Sequence, residues 1–384
     1  MFTSAMLTPL GTLGAVAFLA STLFLVFISR RQILQISVGA WPILLLPTIA
    51  VASVLWSSQP SLTVRIGLEY ALTVLAATII AARTPPKTLI HLLCAVCTVV
   101  LLLNLPAAIG DLAKRHSAQG LYGSKNALGS ICAVQVIASL ATFFGRSTPP
   151  RMKAFAAVGI VLGGPLLFAA NSAGAIICTT IAVAVLIATS TLGTKSANAR
   201  VLAVVFAGLL VTAGVVAAKP IGDAYDYIQT EVFKKDRTLT GRSYLWAKAD
   251  ELARQRPVLG YGYQSFWVQG QTDAEGLWRF GGIKDRTGFN FHNEIREMRI
   301  QLGFVGLAAF FFAIASALVP SALMLLGSSE RARAFSGAAF ALVCYFTVRM
   351  NAESALAYPF AFDTLVFSFA VAALIFSRKR RPTS

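Results

Sequence analysis

Long apolar stretches separated by short polar segments run through most of the chain. A helix needs roughly 20 apolar residues to cross the hydrocarbon core of a bilayer, so each stretch predicts one membrane-spanning helix. The pattern predicts an all-α polytopic membrane protein with about eleven transmembrane helices, or about twelve if a short span precedes Leu10. The predicted spans cover residues 10–28, 38–56, 66–82, 88–109, 127–144, 154–170, 174–192, 201–218, 300–326, 335–350 and 355–376.

The amino-acid composition supports a location in the bilayer. Hydrophobic side chains make up 56% of the 384 residues and charged side chains 13%, and this charged fraction is about half that of an ordinary soluble domain. A formal net charge of +17 would suit nucleic acid, but the basic residues gather in short loops between apolar spans, where they determine topology. We therefore expect membrane lipid, and no nucleic acid, among the partners.

Lysines and arginines are concentrated in every second short loop. Loops rich in these residues stay on the cytoplasmic side of a membrane protein. The C-terminus is therefore expected in the cytoplasm and, with an odd number of spans, the N-terminus outside. The basic loops contain Arg30, Arg31, Arg83, Lys87, Arg146, Arg151, Lys153, Lys195, Arg200, Arg331, Arg333 and the terminal residues 378–381.

One polar segment is far longer than the other loops. It runs from Lys219 to about Arg299, carries 13 Lys/Arg and 11 Asp/Glu, and is expected to lie outside. A loop of this length with aromatic and helical patterning is more often a working element than a linker. The predicted organisation is an N-terminal bundle of about eight helices at 1–218, a large external loop with short helices at 219–299, and about three helices with a basic tail at 300–384.

Cysteine and histidine usage gives no sign of a metal site. The five cysteines all fall in predicted spans, and the Cys94-x-x-Cys97 pair has no second pair elsewhere. Small packing residues between helices explain them better than zinc or redox chemistry. None of the three histidines has a second histidine at helical spacing. No metal and no cofactor is predicted.

Two residues of the large loop fit group-transfer chemistry. Apolar residues from Leu245 to Ala253 recur on one face of a predicted helix, with Arg242 in its first turn, where an arginine beside unpaired N–H groups suits a phosphate. His292 precedes another helix, and histidine is the side chain best suited to accept a proton near neutral pH. From spacing alone, such an arginine is more often a solvated surface residue, and such a histidine is more often a helix cap or a surface residue.

Other polar and aromatic residues on the outer side have two open interpretations. Lys125 and Asn126 stand at a predicted helix start, which would attract an anion, although an interfacial lysine also extends to lipid headgroups. Tyr261 and Trp267 are suited to stacking against sugar rings or to anchoring at the membrane interface.

Arg349 and Glu353 lie at the outer end of the tenth predicted span. Ionisable residues near the membrane interior are expensive and usually functional, but these two are also spaced to pair with each other for structure.

A set of motifs resembles the O-antigen ligase and polymerase family of bacterial membrane proteins. They are a large external loop late in the chain, Thr240-Gly241-Arg242 with Trp246, Pro257-Val258-Leu259-Gly260-Tyr261-Gly262, and His292-Asn293 followed by Glu297, Leu302-Gly303 and Gly306. The segments 122–126 and 349–354 are similar to weaker family motifs.

The resemblance implies glycan transfer on the periplasmic face of the bacterial inner membrane. The donor would be an undecaprenyl-diphosphate-linked glycan and the acceptor a sugar hydroxyl, with other polysaccharide assembly proteins as partners. Such enzymes resemble metal-independent inverting glycosyltransferases. Carried over to this chain, His292 would be the general base or acceptor-orienting group, and Arg242 would bind the diphosphate. The family often has a second arginine where this chain has Ala173. Either another cation, Lys125 or Arg349, would compensate, or the diphosphate would be held less firmly.

Several functions are compatible with these features. An exopolysaccharide or O-antigen polymerase is the first expectation, and an O-antigen ligase acting on a lipid A core uses the same chemistry. A polysaccharide transporter or flippase would place charges or broken helices near the bilayer midplane, often in repeated halves, and spans one to eight contain almost no charge. A non-catalytic scaffold of a synthesis complex is the remaining alternative.

Overall fold

The computed structural model describes residues 1–145, 147–192, 241–326 and 337–377, with isolated positions between 196 and 212. Within these ranges the regular structure is helical and contains no strand, which confirms the predicted all-α class. The helices are α1 (Phe2–Ala5), α2 (Leu7–Ser29), α3 (Ile33–Gly39), α4 (Trp41–Ala52), α5 (Pro60–Arg83), α6 (Pro86–Ala113), α7 (Lys125–Phe143), α8 (Pro150–Ala169), α9 (Ala173–Leu192), α10 (Arg242–Gln255), α11 (Thr272–Phe280), α12 (Glu294–Leu326), α13 (Gly337–Arg349) and α14 (Phe362–Ser377).

Seven helices in the described ranges are long and apolar enough to cross a membrane, and each overlaps a predicted span. An eighth is added if the bent pair α3 and α4 counts as one span. The helices α13 and α14 are apolar but shorter, and they overlap the last two predicted spans. The predicted span 201–218 falls largely outside the described residues, as do 219–240 and the basic tail. The total of about eleven spans and the domain boundaries therefore stay predictions.

The predicted span 38–56 is not one continuous helix. The helices α3 and α4 meet at a bend of 98°, and Pro42 stands in the first turn of α4. Proline has no N–H to continue a helical ladder, and its ring collides with the carbonyl four residues earlier. The apolar pattern could not reveal this break because both halves are apolar.

The last predicted span begins later than expected. Residues 355–361 are not helical, and α14 starts at Phe362. The N–H groups of Ala355 and Leu356 instead donate to the carboxylate of Glu294, at 2.7 and 2.9 Å. A side chain from α12 thus satisfies backbone groups that a helix would have satisfied internally. We call residues 350–361, between α13 and α14, the 350–361 segment.

The long helix α12 is broken at Gly303, where φ is 61°. The break frees two carbonyls, which accept hydrogen bonds from the N–H groups of Tyr261 and Gly262 at 2.8 and 2.9 Å. The freed N–H groups of Phe304 and Val305 donate in turn to carbonyls at 257 and 258. The Leu302-Gly303 and 257–262 motifs therefore form one backbone interlock.

The two ends of the bundle differ in character. At one end Arg83 donates to the carbonyl of Ile28 at 3.1 Å, and Lys87 donates to the hydroxyl of Ser147 at 2.9 Å, so three basic loops lie together. Helix α5 runs from this end to Thr63, which donates to the carbonyl of Tyr263 at 2.9 Å. The large loop therefore lies at the end opposite the basic loops.

Small residues let the helices approach closely inside the bundle. Helix α8 packs against α7, and a Cβ atom added to Gly159 would lie 2.0 Å from the amide nitrogen of Gln135. Close approach over glycine is typical of helix packing in membranes. All five cysteines are free and buried, which agrees with the packing role predicted for Cys94 and Cys97.

Candidate active site

Polar side chains from three other parts of the chain meet at the carboxylate of Glu353. Its Oε1 atom accepts a hydrogen bond from Nη2 of Arg242 at 3.0 Å and another from the amide of Asn126. Its Oε2 atom lies 3.2 Å from Nδ1 of His292. We call Asn126, Arg242, His292 and Glu353 the Glu353 cluster. The structure thus brings together four of the residues that the sequence singled out separately.

The charge state of Glu353 fixes how His292 presents its ring. Burial by itself raises the pKa of Glu353, but the hydrogen bond and charge of His292 and the charges of Arg242 and Arg349 outweigh it and lower the pKa to about 2. The carboxylate is therefore ionised at neutral pH and can only accept hydrogen bonds. Nδ1 of His292 therefore donates to this carboxylate, and in the neutral form of the ring the lone pair of Nε2 is then available to another partner.

The backbone holds His292 in an uncommon conformation. Its φ is 49°, in the left-handed region that few residues other than glycine adopt. Its N–H donates to the side chain of Asn290 at 2.8 Å, and the neighbouring N–H of Phe291 donates to Glu297 at 3.0 Å. The indole of Trp246 donates to the carbonyl of Phe291 at 2.8 Å. The fold therefore secures the backbone on the N-terminal side of His292 at three points.

Arg242 is the first residue of α10, as predicted. Thr240 lies outside the described residues, and the residue at the N-cap is Gly241 with φ 51°. The guanidinium also donates to the carbonyl of Ala352 at 3.0 Å. Its side chain is 32% exposed and that of His292 is 31% exposed, so each is reachable from solvent.

The start of α7 contributes Asn126 and Lys125 to the same end. Asn126 accepts a hydrogen bond from the hydroxyl of Ser172 at 2.9 Å, which links it to the hairpin between α8 and α9. A Cβ atom added to Gly174 in this hairpin would lie 3.6 Å from Cβ of Ala352. The hairpin that contains Ala173 therefore lies beside the cluster. Lys125 is half-buried and forms no salt bridge with any residue that the structure describes.

Arg349 is buried beneath the cluster and does not form a salt bridge with Glu353. It is 5% exposed, and its guanidinium donates to the hydroxyl of Tyr345 and to the carbonyl of Asn126, each at 3.0 Å. The carboxylate of Asp363 lies 3.9 Å away. The mutual pairing of Arg349 and Glu353 that the sequence left open is therefore wrong. Arg349 supports the start of α7 from below.

The two predicted aromatic residues have different positions. The indole of Trp267 donates to Glu297 at 3.0 Å, the same carboxylate that holds the peptide before His292. Its ring lies 5.3 Å from that of Phe289, which in turn contacts the imidazole of His292 edge-on with centroids 6.1 Å apart. Tyr261 instead donates to Gln255 at 3.0 Å and makes no hydrogen bond to the Glu353 cluster.

The sequence assigned no role to several residues that hold the cluster, although Asn293 and Glu297 stand in the motif that begins at His292. Asn293 donates to the carbonyl of Asn351 at 3.0 Å, Glu294 receives two N–H groups of the 350–361 segment, and Glu297 supports the peptide before His292. The available signal was two acidic residues at the very start of an apolar helix, where buried carboxylates are rare.

Groups of three or more metal-ligating side chains do not occur among the described residues.

The fold and the site define a polytopic α-helical membrane protein with a cluster of ionised residues at one end of the bundle. The chain is similar to known proteins. The O-antigen ligase family model matches residues 158–311. The exopolysaccharide production protein ExoQ of Rhizobium meliloti (strain 1021) is 28% identical over 384 residues, which cover 99% of this chain and 87% of that protein.

These matches confirm the resemblance to the O-antigen ligase and polymerase family. They support a membrane enzyme related to O-antigen ligases and to exopolysaccharide production, with polysaccharide or lipid-linked glycan substrates. The residues 158–311 include Arg242 and His292 but not Asn126 or Glu353.

Proposed function

We propose that this protein is an inner-membrane glycosyltransferase that moves a saccharide from an undecaprenyl-diphosphate carrier to a sugar hydroxyl of a growing exopolysaccharide or O-antigen. The observation that carries the proposal is the carboxylate of Glu353, which contacts both His292 and Arg242. One carboxylate thereby holds the proposed proton acceptor, His292, close to a cation, Arg242.

His292 is the general base in this proposal. The acceptor hydroxyl is a weak nucleophile and gains from a positioned base. With Nδ1 donating to Glu353, the lone pair on Nε2 takes the hydroxyl proton as the oxygen attacks the anomeric carbon. The bond from that carbon to the phosphate oxygen breaks, and its electron pair leaves with the diphosphate. Attack from the side opposite the leaving group inverts the anomeric configuration.

Arg242 binds the leaving diphosphate. Removing one donor that stabilises developing negative charge typically costs enzymes several kcal/mol of transition-state stabilisation. The exposed part of the Arg242 side chain is available for this contact, while its two hydrogen bonds to Ala352 and Glu353 hold the guanidinium in place. A diphosphate is a stable anion, so its departure needs little help from a general acid.

Lys125 is the better candidate for the cation that replaces the family's second arginine. Ala173 stands at that position beside the cluster. Arg349 is buried, and its two terminal nitrogens contact Tyr345, Asn126 and Asp363, while its Nε has no hydrogen-bond partner among the described residues. Lys125 is half-buried at the start of α7, where exposed N–H groups add to the attraction for an anion. With Arg242 and Lys125 supplying the positive charge, the proposed mechanism needs no metal ion.

The proposed site faces the periplasm. The large loop lies at the end opposite the basic loops around Arg83 and Lys87, and loops rich in lysine and arginine stay in the cytoplasm. Lipid-linked saccharides and their acceptors would therefore meet the Glu353 cluster at the outer surface of the inner membrane.

A deletion strain tests the proposal. The strain is complemented with the wild-type protein, His292→Ala or Arg242→Ala, with membrane levels matched by immunoblot. Accumulation of single lipid-linked repeat units without polymer in both variants supports the polymerase. Accumulation of long lipid-linked chains indicates a ligase instead. Normal polymer in both variants contradicts the catalytic assignment and favours a scaffold or a transporter.

A further inference from the structure

Three consecutive residues at the start of α12 bind the 350–361 segment. His292 contacts the side chain of Glu353 at 3.2 Å. The amide of Asn293 donates to the carbonyl of Asn351 at 3.0 Å. The N–H of Glu294 donates to the carbonyl of Met350 at 2.8 Å. These contacts join the chain at His292 and the start of α12 to the segment that contains Glu353.

The side chain of Glu294 adds two further hydrogen bonds to the same segment. Its Oε2 atom accepts the N–H groups of Ala355 and Leu356 at 2.7 and 2.9 Å. Both donors lie within three residues of Glu353, in backbone that is not helical. Glu294 is 1% exposed, and burying a carboxylate is costly unless hydrogen bonds compensate. Its other oxygen, Oε1, has no hydrogen-bond partner among the described residues.

We propose that Glu294 is a positioning residue, which holds the 350–361 segment so that Glu353 reaches His292 and Arg242 together. The inference rests on the proposed function and deepens it. His292 and Glu294 are two residues apart on one rigid edge, and Glu294 holds the backbone two and three residues beyond Glu353. Loss of the attachment lets Glu353 move relative to His292, and a displacement of about 1 Å at a reacting group can cost about 100-fold in rate.

The hydrogen-bond geometry of Glu294, and not its charge, is the important property in this proposal. Glu294→Leu removes the acceptor at similar volume, while Glu294→Gln keeps one acceptor oxygen for the two N–H groups. We therefore expect Glu294→Leu to lower kcat about 100-fold with little change in KM. Glu294→Gln should stay within about threefold of the wild type, because the neutral oxygen still accepts the same donors. Glu251→Leu, at an exposed carboxylate on α10, is the control and should leave the rate unchanged.

A double-mutant cycle with Glu353→Gln separates positioning from general stability. If Glu294 acts through Glu353, Glu294→Leu costs little further rate once Glu353 is already replaced. The assay uses full-length protein in nanodiscs with the lipid-linked saccharide extracted from the deletion strain. If Glu294→Leu does not accumulate as folded protein, the same double-mutant cycle is measured with Glu294→Asp. The shorter side chain of aspartate cannot reach both N–H groups.

The outcomes are distinct. A strong loss in Glu294→Leu that disappears in the Glu353→Gln background, with Glu294→Gln near the wild type, supports the positioning role. Equal losses in both backgrounds, or a Glu294→Gln variant as impaired as Glu294→Leu, overturn it. A Glu294→Leu variant with wild-type kcat, alongside impaired Glu353→Gln, overturns the inference and leaves the proposed function standing. Wild-type protein that transfers no saccharide overturns the proposed function itself.

Discussion

The Nδ1 atom of His292 lies 3.2 Å from Oε2 of Glu353, although 61 residues separate the two in the chain. Because Glu353 is ionised, this contact makes Nδ1 the donor, and in the proposed mechanism Nε2 of the neutral ring acts as the base. An orienting carboxylate behind a histidine is a recurring arrangement in enzymes that activate a hydroxyl.

Replacing Glu353 with glutamine tests this orientation. The amide group can donate to Nδ1, which would place the ring proton on Nε2, where it prevents proton acceptance. We expect Glu353→Gln to reduce transfer at least about 100-fold, in the range that general-base catalysis contributes. The measurement is chain extension by purified protein in nanodiscs. Wild-type activity in Glu353→Gln would show that His292 does not depend on Glu353.

Replacing Arg242 tests the diphosphate contact. Arg242 uses two nitrogens, one on the carbonyl of Ala352 and one on Glu353, and the single ammonium of lysine cannot reproduce this planar fork. We expect Arg242→Ala to lower the transfer rate about 100- to 1000-fold and Arg242→Lys to lower it about tenfold. Arg254→Ala provides a matched control, since Arg254 is exposed on the same helix. Comparable losses at both positions would indicate a general charge effect.

The sequence identified the residues of the Glu353 cluster but not the contacts between them. Arg242 at a helix start and His292 before a helix followed from local pattern, because helix periodicity and end signals depend on neighbours in the chain. That Glu353 joins them depends on a tertiary contact across 61 residues, which no local pattern encodes. The burial of Arg349 and the attachment made by Glu294 were hidden for the same reason.

The number of membrane crossings shows another limit of pattern reasoning. Hydropathy identified apolar stretches, and seven of them are long helices in the described part of the chain. It could not show that α3 and α4 meet at 98° or that residues 355–361 leave the helix. In the second case the buried carboxylate of Glu294 accepts two backbone N–H groups that no longer have a helical partner. Backbone groups without a partner are too costly to leave in a membrane.

Gly303 should be essential for the folded protein. Its φ is 61°, and a Cβ atom there would lie 2.3 Å from the carbonyl oxygen of Val258. We expect Gly303→Ala to destabilise the protein by about 2–4 kcal/mol, from backbone strain and overlap in the interlock. The measurement is the thermal unfolding temperature in detergent. Gly276→Ala is the control, because Gly276 lies in α11 with nothing within 4 Å of an added Cβ, and it should unfold no earlier than the wild type.

The lowered pKa of Glu353 predicts how stability depends on pH. The pKa falls from 4.5 to about 2 on folding, so ionised Glu353 contributes stability that is fully present above about pH 4.5 and is lost as pH falls toward 2. We expect the difference in unfolding temperature between wild type and Glu353→Gln to be constant from about pH 5 to 8 and to shrink below about pH 4. A difference that instead changes between pH 6 and 8 would assign the titration to another group.

The most direct test of the account follows both products of a single reaction. Purified wild-type protein and His292→Ala, at matched amounts in nanodiscs, receive the lipid-linked saccharide extracted from the deletion strain. Mass spectrometry then measures the lengthened saccharide and the released polyprenyl diphosphate. The proposed mechanism predicts equal amounts of both products from the wild type and a loss of about 100- to 10,000-fold in His292→Ala. Wild-type rates in His292→Ala, or extension without release of the diphosphate, would contradict it.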